Sequence, residues 1–459
     1  MRLACFLAAL IVALGVLPAT AAEAASQKPN IIFILSDDLG IGGVSSYGAD
    51  HFKTPNIDKL ARSGIRFEHC YSSPICGPSR ALLMTGRYAF RTGMTYNDTG
   101  PLLEPANEIM MPKVLKPAGY VTAQVGKWAQ LPLQPGDWGF DDYLRFKGSG
   151  KYWNTQPGNK TYTVNGTEVP LLDGEYLPDK MNDFVVNFIT RHKDQPFYIY
   201  YAMSHVHQPI LRTPDTKPGP SDKRTLYRDN VAYMDKLVGK LIAELDRLNL
   251  REKTIVIFSS DNGTAPPFKW FCTIDGGKQL SGCKFTMLEC GALVPMIVNW
   301  PGTTPAGKVS DNLISFVDFF PTLAEVGGAK LPRGVTIDGR PFTPMLYGEP
   351  LTSPRDWIFV MLDSLWYDRE LIWKLDQSGE LFDMENAPFT EPLVPADTQN
   401  TGALAARQRL QTILTQLNPA NGKQGPAYGK HLREIKRVTN KATNGRGGMD
   451  SQNANAPGE

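Results

Sequence analysis

Pro29-Asn30-Ile31-Ile32-Phe33-Ile34-Leu35-Ser36-Asp37-Asp38 is an unbroken apolar run that stops on two adjacent carboxylates. The run is too short for a helix and rich in β-branched side chains, so it reads as a strand buried on both faces. Strands of that kind belong to parallel or mixed sheets covered by helices. Open α/β sheets place ligands at the carboxyl ends of such strands, which is where Asp37 and Asp38 fall. Two neighbouring carboxylates repel each other unless a cation or hydrogen-bond donors compensate. Taken alone, the pair also admits the plainer reading of a solvated turn.

The same design recurs along the chain. Residues 120–125 form a short strand-like stretch ending at Gly126-Lys127, and 197–203 one ending at Ser204-His205-Val206-His207. Residues 254–258 form another, ending at Ser259-Ser260-Asp261-Asn262-Gly263. Before it, Val231, Met234, Leu237, Val238, Leu241 and Leu245 recur at helical spacing over 226–248. Helix followed by strand is the alternation of a doubly wound sheet. If the four strands are parallel neighbours, their terminal groups gather at one edge. Asp37, Asp38, Asp261 and Asn262 are hard oxygen donors that suit Ca²⁺ or Mg²⁺. Lys127 alone reads as a solvated lysine, and His205 and His207 as ordinary core or surface histidines. Residues 55–67 read as a helix with Gly64 near its end, and 296–300 as a further strand.

Cys76-Gly77-Pro78-Ser79-Arg80-Ala81-Leu82-Leu83-Met84-Thr85-Gly86-Arg87 turns at Gly-Pro and runs into good helix formers. That delivers Cys76 to a helix N-terminus, where free N–H groups and the dipole favour an anion. Arg80 and Arg87 add positive charge. The plain alternative is a buried cysteine before an ordinary helix.

Cys-x-Pro-Ser-Arg followed by Thr-Gly-Arg resembles the signature of the type I sulfatases, members of the alkaline-phosphatase-like superfamily. The likeness continues in order through Gly119-Tyr120 and Gly126-Lys127-Trp128, His207-Gln208-Pro209, Ser260-Asp261-Asn262-Gly263, Lys284, Glu289, Gly291, Val294-Pro295 and Glu380-Leu381-Phe382-Asp383. It implies a large mixed, mostly parallel sheet sandwiched by helices, with a smaller C-terminal antiparallel sheet plus helix. It also implies that formylglycine-generating machinery converts Cys76 to a nucleophilic hydrated aldehyde. Asp37, Asp38, Asp261, Asn262 and the modified Cys76 would hold Ca²⁺ (or Mg²⁺). Arg80 would help polarise the nucleophile, Lys127 and Lys284 would bind the sulfuryl oxygens, and His207 would protonate the leaving oxygen.

Two departures from the family pattern stand out. Gly-Lys-Trp-His-Leu-Gly becomes Gly126-Lys127-Trp128-Ala129-Gln130-Leu131, so either His205 substitutes for the missing histidine or sulfate release is slow. Glu-Gly-Gly-x-Arg becomes Glu289-Cys290-Gly291-Ala292-Leu293, which loses an arginine. The resemblance implies an enzyme acting on sulfate monoesters, with a sulfated saccharide as the expected substrate. A phosphodiesterase or phosphonate hydrolase of the same superfamily, or a catalytically impaired sulfoglycan-binding protein, is the alternative.

The 459 residues are 42% hydrophobic and 20% charged, with a formal net charge of +2, which gives no reason to expect nucleic acid as a partner. Arg2, the apolar stretch 3–17, Pro18 and the small residues after it read as an export leader over 1–24, too short to span a bilayer. A periplasmic or secreted location follows. The expected division is a catalytic domain over 25–350, a small subdomain over 351–417 and a largely disordered tail over 418–459, where apolar residues are scarce. If Cys76 is modified and Cys5 leaves with the leader, Cys70, Cys272, Cys283 and Cys290 remain. Cys272 with Cys283 is the favoured disulfide, and four free thiols the alternative. Over 145–178, Tyr152, Trp153, Tyr162 and Tyr176 suit either stacking on a sugar or packing within the loop. Asn165-Gly166-Thr167 is a glycosylation sequon.

Overall fold

The computed structural model describes residues 28–128 and 130–444; the expected leader and Ala129 lie outside them. Ten strands build one sheet: β1 (Asn30–Ser36), β2 (Ile65–Tyr71), β3 (Val121–Lys127), β4 (Asp142–Phe146), β5 (Thr161–Val164), β6 (Thr167–Pro170), β7 (Phe197–Ala202), β8 (Thr254–Ser260), β9 (Leu293–Asn299) and β10 (Lys308–Ser315). Their spatial order is β10-β2-β9-β8-β1-β7-β3-β4-β5-β6. The central run β8-β1-β7-β3-β4 is parallel throughout, while β9 runs antiparallel to both its neighbours. Ser36 pairs with Ser260, and Leu35 and Gly126 both pair with Ala202. The carboxyl ends of β1, β8, β7 and β3 therefore lie side by side, as the sequence leads one to expect.

The longer helices are α1 (Pro55–Arg62), α2 (Cys76–Thr85), α3 (Leu177–Arg191), α4 (Lys223–Arg247), α5 (Phe319–Val326), α6 (Thr401–Leu417) and α7 (Leu432–Asn444). Strand alternation splits the apolar run of β1 between two cores. Ile32 and Ile34 pack with Met234 and Leu237 of α4, whereas Ile31, Phe33 and Leu35 pack with Leu83 of α2 and Phe319 of α5. All five side chains are fully buried, each worth about 1.5–3 kcal/mol relative to exposure. No helix among the described residues is long and apolar enough to cross a membrane.

A second, antiparallel sheet comprises β11 (Ile358–Leu362), β12 (Leu365–Arg369), β13 (Trp373–Asp376) and β14 (Leu381–Asp383), in that order. Phe359 and Leu375 of this sheet join the same apolar core as Ile31 and Phe33. A buried ion pair ties the two sheets together: Arg369 donates to Glu289, which also accepts from the Tyr71 hydroxyl at 2.7 Å. Glu289 thus finds its arginine in β12, not four residues ahead where the family pattern carries one.

Several expectations change. The helix starting at Pro55 ends at Arg62, and residues 65–67 belong to β2. Gly64 is the hinge, because a Cβ there would lie 2.3 Å from the Val298 carbonyl oxygen. No disulfide joins Cys272 to Cys283; both are free thiols, as are Cys70, Cys76 and Cys290. Cys272 packs beside Gly42, whereas Cys283 faces Val438 and Ala442 of α7. Helix α7 itself replaces the disorder expected over this part of the tail: Ile435, Val438 and Ala442 recur at helical spacing and are buried. The aromatic loop packs on itself, with Tyr152 and Tyr176 buried and their rings stacked at 6.0 Å. Asn165 and Gly166 form the two-residue turn between β5 and β6.

Truncating one member of the Glu289–Arg369 pair leaves a buried charge uncompensated. Arg369→Ala is expected to cost about 3–5 kcal/mol in urea denaturation. The double change Glu289→Leu with Arg369→Met should recover a large part of that loss.

Candidate active site

Each acidic donor sits where a parallel strand runs out. Asp37 and Asp38 follow β1, and Asp38 takes a left-handed φ of 64°, which Asp tolerates better than most residues. Asp261 and Asn262 follow β8. The Asp261 amide donates to the Ser36 carbonyl at 3.1 Å, and the Asp38 amide to Asp261 Oδ1 at 3.2 Å, so the two turns are laced together. Gly263 closes the second turn, since a Cβ there would lie 1.8 Å from the Cys290 carbonyl oxygen. Cys76 is the first residue of α2. Ser79 does not cap that helix; its hydroxyl accepts from the Ser73 amide at 2.9 Å and fixes the turn leading into Cys76.

The ligand atoms of Asp37, Asp38, Cys76 and Asp261 all lie within 4.8 Å of one another, and all four residues are buried. Cys76 Sγ stands 3.7 Å from Asp37 Oδ1 and 4.0 Å from Asp38 Oδ1. Three cations surround them. Lys127 Nζ is 3.0 Å from Asp37, Lys284 Nζ is 3.0 Å from Asp38, and Arg80 Nη2 is 2.7 Å from Asp261 and 3.8 Å from Asp37. Counted in their ionised forms, three carboxylates and three cations balance. A divalent cation would tip the site positive, as capture of an anionic group requires.

The titration behaviour follows from this packing. Burial raises the Asp37 carboxyl well above the usual range, against the pull of Lys127. At Asp261 burial also acts upward, but Arg80, Lys127 and Lys284 outweigh it and the carboxyl is lowered. Burial first, then the Asp261 charge, push the Cys76 thiol well up. A plain thiol held in that state is a poor nucleophile.

The donor set fits a hard divalent cation. Asn262 Nδ2 donates to Asp38 Oδ1 at 2.7 Å, while Asn262 Oδ1 is buried without a hydrogen-bond partner among the described residues. Buried acceptors left in that state are rare, and a cation beside the Asp37, Asp38 and Asp261 oxygens would satisfy this one.

His207 joins the site: its ring falls within the same 4.8 Å grouping as Asp37 and Cys76. Its Nδ1 lies 2.6 Å from the Gln208 carbonyl oxygen, which only accepts, so Nδ1 carries the hydrogen and Nε2 faces Asp38 at 3.8 Å. The Tyr152 hydroxyl reaches the Ser204 and His207 carbonyls at 2.9 and 2.7 Å, steadying this loop.

His205 does not join. Its Nε2 sits 2.9 Å from the Tyr176 hydroxyl, among the rings of Tyr152, Tyr176 and Tyr233, and burial lowers its pKa to about 3. Only its carbonyl serves the site, accepting from the Asp37 amide at 2.7 Å. Tyr200, which no sequence motif marks, also belongs to the site: its hydroxyl accepts from Arg80 Nη1 at 3.1 Å. The strand is buried throughout and carries three tyrosines, Tyr198, Tyr200 and Tyr201, whose hydroxyls need partners, but nothing in the sequence singles out Tyr200 among them.

A mostly parallel sheet with oxygen donors, cations and a helix-borne cysteine at its carboxyl edge defines a hydrolase of the alkaline-phosphatase-like superfamily. Within it the chain belongs to the sulfatase family, the sulfuric ester hydrolases, whose family model (Sulfatase) matches residues 29–329. The chain is 33% identical to arylsulfatase G of Mus musculus over 376 residues, covering 71% of this chain and 70% of that protein. It is 34% identical to N-acetylgalactosamine-6-sulfatase of Canis lupus familiaris over 375 residues, covering 72% and 68% respectively. Among solved structures, Ps i-CgsB in complex with k-i-k-neocarrahexaose superposes with a TM-score of 0.73 at 27% identity, covering 91% of this chain and 99% of that one.

Adding Ca²⁺ to metal-stripped protein should raise its stability by about 2.7 kcal/mol at a hundredfold excess over Kd, read as a thermal shift. Asp38→Ala should abolish the shift, whereas His205→Gln should leave it in place.

Proposed function

We propose that this sulfatase hydrolyses sulfate monoesters carried by a saccharide, in an exported compartment, with a nucleophile made from Cys76 and a bound Ca²⁺. The observation that carries the reading is Cys76 Sγ set among three buried carboxylates and three buried cations at the carboxyl ends of β1, β8 and β3. Saccharides enter through the relatives, one being an N-acetylgalactosamine-6-sulfatase and another having been solved with a neocarrahexaose.

Asp37, Asp38, Asp261 and Asn262 would hold the cation, which when bound supplies Lewis-acid polarisation of an oxyanion. Formylglycine at position 76 would supply a hydrated aldehyde, hence an oxygen nucleophile in place of the protonated thiol. Arg80 pins Asp261 through Nε and Nη2 and keeps it ionised beside that position. Lys127 and Lys284 stand preorganised on the two sides of the carboxylate cluster, placed to stabilise charge growing on the sulfuryl oxygens. His207, fixed through Nδ1, presents Nε2 and in its imidazolium form protonates the leaving alcohol oxygen. With His205 tied to Tyr176, release of sulfate either falls to His207 or is slow.

Peptide mass spectrometry of protein from its native host should find Cys76 converted to formylglycine; an active preparation holding only the thiol would refute the mechanism. Cys76→Ala should abolish turnover of sulfate esters, and phosphate esters should be turned over far more slowly than sulfate esters by the unaltered protein. Lys127→Ala and Lys284→Ala should each cost about 10²–10³ in kcat. His207→Ala should cost about 10²–10⁴ on alkyl sulfates and much less on 4-nitrophenyl sulfate, whose leaving group needs no proton.

A further inference from the structure

Helix α7 lies against the residues that flank the reacting groups. Ile435 packs with Ile75 and Tyr96, and Val438 and Ala442 pack with Cys283 and Phe285. Ile75 directly precedes Cys76, and Phe285 directly follows Lys284. The segment before the helix is anchored beside the same place. His431 stacks on Tyr96 at 3.7 Å and pairs with Asp98 at 3.1 Å, and the Gly429 and His431 amides donate to Asp363. The apolar face of α7 is thus fully used in holding the helix beside the site.

Its opposite face is cationic. Residues 430–441 carry five lysines and arginines against one carboxylate, Glu434, which accepts from the Tyr96 hydroxyl at 3.1 Å. Arg433, Lys436, Arg437 and Lys441 are exposed and make no ion pair with any described residue. At 1.5 Å per residue they form a stripe about 12 Å long. The whole chain has a net charge of only +2, so this five-to-one excess of cations is local.

We propose that this face of α7 is a docking site for a polyanionic saccharide, holding the part of a sulfated polymer that lies beyond the ester being cleaved. The proposal rests on the sulfated-saccharide reading above and adds that the substrate is polymeric. A row of unpaired guanidinium and ammonium groups complements repeated sulfates, and its field raises the local concentration of such a chain beside the site. A lipid surface is disfavoured, because Arg433, Lys436, Arg437, Asn440 and Lys441 leave nothing apolar on the exposed face to enter a bilayer. Nucleic acid is disfavoured because no aromatic side chain interleaves the cations for bases to stack on.

The test compares full-length protein with the variant R433Q/K436Q/R437Q/K441Q, using dextran sulfate as the probe. The variant should bind at least about tenfold more weakly, as the loss of four exposed charge contacts would dictate. Wild-type binding should fade as NaCl rises, and the charge-retaining variant R433K/K436R/R437K/K441R should bind like wild type. Turnover of 4-nitrophenyl sulfate and the melting temperature should not change, since none of the four side chains touches the buried groups. Unaltered dextran sulfate binding by the glutamine variant would overturn the proposal. So would wild-type affinity for phosphatidylserine vesicles or single-stranded DNA equal to that for dextran sulfate. If wild type binds dextran sulfate through α7 but turns over no sulfate ester, the catalytic reading fails and the docking site stands.

Discussion

Asp37, Asp38 and Asp261 crowd three carboxylates into one buried cluster at the end of two adjacent strands. At an effective dielectric constant near 20, each like-charge contact at about 4 Å costs about 4 kcal/mol. No sheet tolerates that without compensation, and the surrounding architecture supplies it. Arg80 comes from α2, Lys127 from the end of β3 and Lys284 from the loop before β9, each within 3.0 Å of its carboxylate. Folding of the sheet edge and assembly of this charged cluster are therefore one electrostatic problem, solved by elements far apart in sequence.

The same logic separates His207 from His205. The two histidines are two residues apart, and an extended strand would turn both toward one face. The loop after β7 breaks that alternation: the His207 ring meets Asp37 and Cys76, while the His205 ring enters an aromatic cage with no neighbouring charge. An imidazole whose pKa is lowered to about 3 by burial stays neutral and contributes packing, not proton transfer. On the mechanism proposed above, Ala129 in the usual histidine's place leaves the groups for attack on sulfur better supplied than those for release of sulfate.

Beyond the buried cluster, the small sheet and the tail act as supports. Arg369 of β12 neutralises Glu289, which immediately precedes the turn into β9, and α7 covers Ile75 and Phe285, the neighbours in sequence of Cys76 and Lys284. The edge that carries the carboxylate cluster is thus held from the central sheet, the second sheet and the C-terminal helix together.

Sequence by itself determined the parallel core strands, the donor pairs at their ends and the cysteine at the head of a helix. These are local properties: an apolar β-branched run buries itself, and polar residues directly after it must emerge at its end. Tertiary structure decided what depends on neighbours distant in the chain. It chose which histidine faces Cys76, gave Glu289 an arginine 80 residues away and Arg80 the Tyr200 hydroxyl, and left Cys272 and Cys283 facing different partners. It also gave the sparse apolar residues of the tail a surface to fold on. Ile435, Val438 and Ala442 are too few to drive a helix alone, and only the hydrophobic surface of Ile75, Tyr96, Cys283 and Phe285 makes their burial favourable enough to offset the loss of chain entropy.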